Sequence, residues 1–223
     1  MKVRLVRPDN SGYREWCRQH RMRFVDHRPR DPLAREYHSR LMRWEEAVRR
    51  LLTESVTESA TERVLHCEEG DRMRSRNSYL ELDFVSGNQA EPRAFVEIKL
   101  RERTEGATTG WGQLYRSLTV ARTRWSRLSG ISVCVAMGSV LQTEETLTVS
   151  PVRTRDLRHR LQPTSGADGE VLWLEGREVA DFGVSSRLFT EDDVQLLPEL
   201  RQDMLHPVRV LERIRRQAPS QWP

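Results

Sequence analysis

Two acids and one lysine stand in segments whose pattern would let them act together. Asp83 lies in the run from Tyr79 to Val85, Tyr-Leu-Glu-Leu-Asp-Phe-Val. Glu97 and Lys99 lie in the run from Ala94 to Leu100, Ala-Phe-Val-Glu-Ile-Lys-Leu. Both runs read as β-strands, in which successive side chains alternate between faces. The alternation places Leu80, Leu82 and Phe84 on one face of the first strand, and Tyr79, Glu81, Asp83 and Val85 on the other. In the second strand Ala94, Val96, Ile98 and Leu100 share one face, and Phe95, Glu97 and Lys99 the other. Gly87-Asn88 and Pro92 supply turn chemistry between the runs. A hairpin would gather Asp83, Glu97 and Lys99 on one side of a sheet.

Charge on a half-buried face is costly unless it is paired or bound to a metal. A hard divalent cation such as Mg²⁺ takes carboxylate and carbonyl oxygens. Asp83, Glu97 and the backbone carbonyl of Ile98 would supply them, and Lys99 would hold or deprotonate an attacking water. A lone Glu-x-Lys is more often an ordinary ion pair between solvated side chains. The lysine count favours the sharper reading. Of 37 Lys and Arg residues only Lys2 and Lys99 are lysine. A chain that otherwise meets its need for positive charge with arginine, yet keeps this ammonium inside a strand, has a use for a compact cation with a tunable pKa.

Several elements must position these residues. From Leu33 to Glu54, Tyr37, Leu41, Trp44, Val48, Leu51 and Leu52 recur at helical spacing. Glu45 falls near Leu41, Val48 and Leu52 on that apolar stripe, whereas Glu46 points the opposite way. An acid at that margin is either a snorkelling edge residue or a site carboxylate. Thr57–Thr61 reads as a polar linker and Glu62–Glu68 as a strand. After Leu100 a charged loop spans Arg101–Gly110. A helix is expected over Trp111–Leu128, with Leu114, Leu118, Ala121 and Trp125 as its buried stripe and Gln113 and Tyr115 in its first turns. It carries Arg116, Arg122, Arg124 and Arg127 and no acid, which makes it a candidate nucleic-acid surface. Ile131–Met137 reads as a buried strand.

Residues 1–32 are expected to be a basic extension with a short edge strand at 2–7 and one helix near Tyr13–Arg23. Residues 1–50 hold 14 Lys and Arg against 7 Asp and Glu. Residues 33–150 form the expected core. Residues 151–223 are expected to form a small α+β subdomain for docking or dimerisation. It would hold a strand at 146–152 leading in, a hairpin over Val171–Val184 turning at Glu175-Gly176, and a capping box at Thr190-Glu-Asp-Asp193. Two short helices interrupted by Pro198 and Pro207 would follow.

The whole chain of 223 residues is 37% hydrophobic and 31% charged, which suits a soluble protein. No apolar run reaches the length of a membrane span, and the N-terminus lacks a signal-peptide pattern. Cys17, Cys67 and Cys134 form no Cys-x-x-Cys pair, so a reduced, cytoplasmic setting is expected. The net charge of +4 favours a polyanionic partner.

Taken together, Leu82-Asp83, Glu97-Ile98-Lys99 and a following helix bearing Gln113 resemble the PD-(D/E)XK nuclease superfamily, the restriction-endonuclease-like fold. The resemblance covers roughly residues 33–137. It implies an α/β fold, a mixed central sheet flanked by helices in the order α-β-β-β-α-β. It implies that Asp83 and Glu97 bind Mg²⁺, with Mn²⁺ as a substitute, that Lys99 assists the water and that Gln113 belongs to the site. An acid on the first helix completes the set, and Glu45 is the best placed. The activity implied is hydrolysis of DNA phosphodiesters, in restriction, defence or repair, with Arg116, Arg122, Arg124 and Tyr115 on the nucleic acid. A homodimer or a larger complex would supply specificity. A non-cleaving nucleic-acid-binding subunit of the same fold is the alternative. Leu82 stands where the family has proline, and Glu81 is an additional carboxylate.

Overall fold

The computed structural model describes residues 1–21, 31–70, 76–104, 110–143, 149–161 and 169–205. Among them the chain forms a mixed α/β structure with two sheets. In order the elements are β1 (Lys2–Val6), α1 (Ser11–Arg21), α2 (Pro32–Ser55), β2 (Val64–Glu69), β3 (Arg76–Glu81), β4 (Phe84–Gly87) and β5 (Pro92–Arg101). Then come α3 (Trp111–Ala121), β6 (Ser129–Ala136), α4 (Gly138–Leu141), α5 (Leu157–Arg160), β7 (Glu170–Glu175), α6 (Gly176–Ser185) and α7 (Glu191–Leu205). Strands β1-β2-β3 make an antiparallel sheet. Strands β4-β5-β6-β7 make a mixed sheet, with β4 antiparallel to β5 and the other pairs parallel.

The mixed sheet is buried on both faces, as parallel strands require. Ala94, Val96, Ile98, Val133, Val135, Leu172 and Leu174 pack on one side with Trp44, Val48 and Leu52 of α2 and Val179 and Leu197 of α6 and α7. On the other side Val85 and Phe95 join Leu114 and Leu118 of α3 and Val3, Leu5 and Leu65 of the antiparallel sheet. The alternation expected for the second strand is thus the one β5 adopts. Helix α2 starts where Asp31 accepts from the Ala34 amide at 2.8 Å and Pro32 opens the first turn. It buries Tyr37, Trp44, Ala47, Val48, Leu51 and Leu52, the stripe its periodicity indicates.

Four expectations need correction. The run Tyr79–Val85 is not one strand. Its N-terminal half, β3, pairs with β2, and the Leu82 amide extends that ladder to the Arg63 carbonyl at 2.8 Å. From Phe84 onward the chain pairs with β5 instead. The backbone changes sheets at Leu82-Asp83, so Leu82 packs with Leu5 and Phe95 while Phe84 packs on the α2 side. The helix after Gly110 stops at Ala121, short of Leu128. Arg122 folds back there and donates from Nε and Nη2 to the Leu128 carbonyl at 2.9 and 2.8 Å, closing a turn into β6. The expected hairpin at Val171–Val184 is a strand and a helix: β7 runs parallel to β6, and α6 starts at Gly176. A Cβ on Gly176 would stand 2.7 Å from the Ala136 carbonyl, so a bare backbone is what lets α6 approach β6. Finally, Pro198 lies inside the continuous α7. It forfeits a helical hydrogen bond, but it and Leu197 are buried, and that packing holds the helix together.

The segment expected as a separate C-terminal subdomain therefore supplies a strand and two helices to the main core. The N-terminal segment likewise supplies β1 and α1. Residues 105–109 of the loop, 146–148 of the expected strand at 146–152, and Pro207 lie outside the described residues; residues 149–152 are described and form no strand.

Candidate active site

The change of sheets creates the site. At its edge β4 begins opposite Val96, so β5 continues past it without an antiparallel partner. The Ile98 amide would otherwise lack a ladder bond, and the Asp83 carboxylate accepts it, through Oδ2 at 2.7 Å. In a strand the N–H and C=O of one residue point the same way, so the Ile98 carbonyl emerges on the Asp83 side. Asp83 is thus fixed beside the Glu97-Ile98-Lys99 segment by a charge-assisted bond, at the point where the strand changes partners.

Glu97 is 2% exposed and is ion-paired through Oε1 with the Lys99 ammonium. Gly110, the residue that caps α3, covers this pair. Its φ of 78° is left-handed, and a Cβ there would stand 2.7 Å from Lys99 Cε and 2.8 Å from Glu97 Cγ. Only glycine satisfies both the backbone angle and the contact. Gly110 was not among the residues singled out from the sequence, although a glycine just before a helix was a signal.

Glu45 lies on α2 at the margin of its buried face, with its side chain 30% exposed and Arg49 Nη2 at 3.8 Å. Arg49 also pairs with Glu46. Burial first, then the charge of Asp83, push the Glu45 carboxyl above the usual carboxylate range, against the pull of Arg49 and Lys99. Glu97 is pushed up in the same way, by burial and then by Asp83, with Lys99 opposing and Glu45 adding a smaller push. The three acids therefore feel one another's charge, and Lys99 acts on both glutamates.

The fit to a divalent cation follows from this donor set. Asp83 Oδ1 and Glu97 Oε2 are not the oxygens taken by Ile98 and Lys99, and with the Ile98 carbonyl they form an all-oxygen set. Mg²⁺ takes one or two carboxylates and keeps several waters, so these residues fit it without a closed cage. Among the described residues no group of three or more His, Cys, Asp or Glu side chains is drawn together as a ready-made metal site.

The other sequence candidates are spread along α3. Gln113 is exposed in the first turn, three residues after Gly110, and its backbone N–H donates to the Gly110 carbonyl at 3.0 Å. Tyr115 is 55% exposed, and Arg116 is exposed beside it. Arg122 spends its guanidinium on the turn into β6, as described above. Arg124 donates from Nη1 to the Val3 carbonyl at 2.6 Å and lies over the Trp125 ring. The structure thus brings Asp83, Glu97 and Lys99 together, leaves Glu45 within reach of their charges, keeps Gln113 in the first turn of α3, and sets Arg122 and Arg124 at the far end of α3.

No protein-family model matches the chain, and neither the curated proteins nor the solved structures offer a match. Among the described residues no helix is long and apolar enough to cross a membrane.

Proposed function

We propose that this protein is a Mg²⁺-dependent nuclease that hydrolyses DNA phosphodiesters on a PD-(D/E)XK-like core. The observation that carries the reading is the convergence of Asp83, Glu97 and Lys99 at the end of the β4–β5 ladder, with Glu45 electrostatically coupled to them. Asp83 and Glu97 hold the metal, with the Ile98 carbonyl as a neutral third donor. When bound, the ion lowers the pKa of a coordinated water and neutralises charge on the phosphoryl oxygens. Glu97 keeps the Lys99 ammonium in place. Lys99 orients the attacking water and balances charge that develops on the phosphate. Glu45, with its proton affinity raised, accepts a proton from that water. Tyr115 and Arg116 on the exposed side of α3 contact the backbone of the strand.

Incubation with plasmid, linear duplex and single-stranded DNA in Mg²⁺, Mn²⁺ or EDTA tests this reading. Cleavage in either metal, abolished by EDTA and by Asp83→Asn, is expected. Cleavage that persists in EDTA would remove the metal from the mechanism.

A second reading has an observation of its own. Lys99 already neutralises Glu97, and no ready-made metal group is present among the described residues. A subunit that binds nucleic acid without cutting it accords with that. Calorimetric titration with Mg²⁺ and Mn²⁺, free and with DNA, separates the two: binding of a metal that Asp83→Asn removes favours the nuclease.

A further inference from the structure

A cleft of about 480 Å³ lies away from the carboxylates, where the first two strands of the antiparallel sheet meet the end of α3. It is lined by Met1, Lys2, Val3, Arg4, His66, Glu68, Thr123 and Arg124. Three of these are cations and one is an acid. Lys2 and Arg4 alternate with the buried Val3 and Leu5 on β1, so the strand period sends both to the open face. Glu68 lies opposite Lys2 in the ladder. Among the described residues neither of these two makes an ion pair, and neither do Arg4 and Arg124.

Both arginines are anchored by a single nitrogen. Arg4 donates from Nε to His66 Nδ1 at 3.0 Å, and the ring's other nitrogen, Nε2, meets Asn77 Oδ1 at 2.9 Å. The ring therefore accepts from Arg4 and donates to Asn77. His66 itself is 5% exposed and stacks on Tyr79. Arg124 is held through Nη1 by the Val3 carbonyl. Each guanidinium is thus pre-oriented with its remaining N–H groups still to be satisfied. Three cations against the single carboxylate of Glu68 leave the cleft net positive, and a net-positive cleft concentrates anions. Arginine forks match phosphate oxygens in particular.

The cleft lies at the far end of the helix that leaves the carboxylate site. Helix α3 starts beside Glu97 and Lys99 at Gly110 and rises roughly 16 Å over its eleven residues before Thr123 and Arg124 follow. Its exposed residues, among them Gly112, Gln113, Tyr115, Arg116 and Thr119, include no acid.

We infer that this cleft is a distal phosphate clamp. It grips the backbone of a nucleic acid at a second point, away from the phosphodiester at the carboxylate site. The inference rests on the nuclease reading for the substrate and adds a second anchoring point to it. Lys2, Arg4 and Arg124 supply the contacts, which carry no base preference.

The experiment is metal-free binding of a labelled duplex of about 20 base pairs across a salt series. The proteins are wild type, Arg4→Gln and Lys2→Gln. The Lys2 side chain makes no hydrogen bond or ion pair among the described residues, so Lys2→Gln remains informative if Arg4→Gln fails to fold. Each variant is expected to weaken binding at least several-fold and to lower the slope of log K against log salt by about one. An unchanged slope overturns the clamp, as does absence of duplex binding by wild type. Plasmid cleavage, measured in parallel, keeps the two ideas apart. Clamp-dependent binding without cleavage sinks the nuclease reading alone. Cleavage with unaltered variant binding sinks the clamp alone.

Discussion

Lys99 is ion-paired with Glu97, packs against Gly110, and acts on Glu45 through its charge. If Asp83, Glu97 and Lys99 act as a unit, each of Asp83→Asn, Glu97→Gln and Lys99→Ala should remove most cleavage. A double variant should be little worse than a single one, because effects of groups that act together are strongly non-additive. Single-turnover rates on plasmid check this, and a Lys99→Ala protein that cuts at the wild-type rate would displace the site from this strand pair. The same residues set a stability cost. The Glu97 carboxyl is pushed up by burial and by Asp83, so the folded state binds that proton more tightly than the unfolded state does. Its contribution to stability is present at acid pH and lost as pH rises through the raised folded-state value. Glu97→Gln should therefore raise the melting temperature of the metal-free protein at neutral pH, by up to a few degrees (~1 kcal/mol is roughly 2–4 °C at this size). The gain should shrink as pH falls toward the ordinary carboxylate range. Thermal melts of both proteins across pH in EDTA read the difference directly.

At the scale of elements, β5 was legible because its two faces are both required. Ala94, Val96 and Ile98 meet one layer and Phe95 the other, and the alternation records that. The break at Leu82-Asp83 was not legible. Leu80, Leu82 and Phe84 alternate without interruption through it, and what changes is the pairing partner, a contact with residues far away in the chain. The position of Glu45 at the margin of the buried face could be read from helical spacing. The left-handed Gly110 backbone and its contact with Lys99 could not, because neither leaves a periodic trace. The capping box of α7 was legible, since it is a local pattern. Thr190 Oγ1 accepts from the Asp193 amide at 3.2 Å, and Asp193 Oδ2 accepts from the Thr190 amide at 3.0 Å. Asp193 is also paired with Arg40 of α2 at 2.6 Å. Thr190→Ala should cost about 1 kcal/mol, and it should do so without altering cleavage of DNA, because α7 contributes nothing to the carboxylate cluster. Chemical denaturation and a plasmid assay on the same preparation test both halves of that statement.

At the scale of the molecule, the strand order decides what can be removed. A core ending at residue 150 would lose β7, which pairs with β6 from Ile131 to Ala136. It would also lose Leu172, Leu174, Val179, Ala180 and Leu197, which are buried in one cluster with Trp44, Val48 and Leu52. Glu102, just past β5, joins the same parts from another side. It accepts from Arg201 of α7 at 3.0 and 2.7 Å and from the Tyr37 hydroxyl of α2 at 3.2 Å. The Arg201 hydrogen bond holds the Glu102 carboxyl below its ordinary value. That link therefore stabilises the fold above the unfolded-state pKa and is lost as pH falls through the lower folded value. A chain of residues 1–150 would leave a fully buried strand, β6, with one open edge and the apolar face of α2 uncovered. Exposed apolar surface and an unpaired strand edge drive aggregation. The truncated chain is expected to be insoluble or to lack a cooperative melt, whereas the full chain melts in one transition. Expression of both, followed by calorimetry, distinguishes this from an independent C-terminal unit. A soluble, cooperatively melting, DNA-cleaving 1–150 fragment would show that β7, α6 and α7 are an appendage after all.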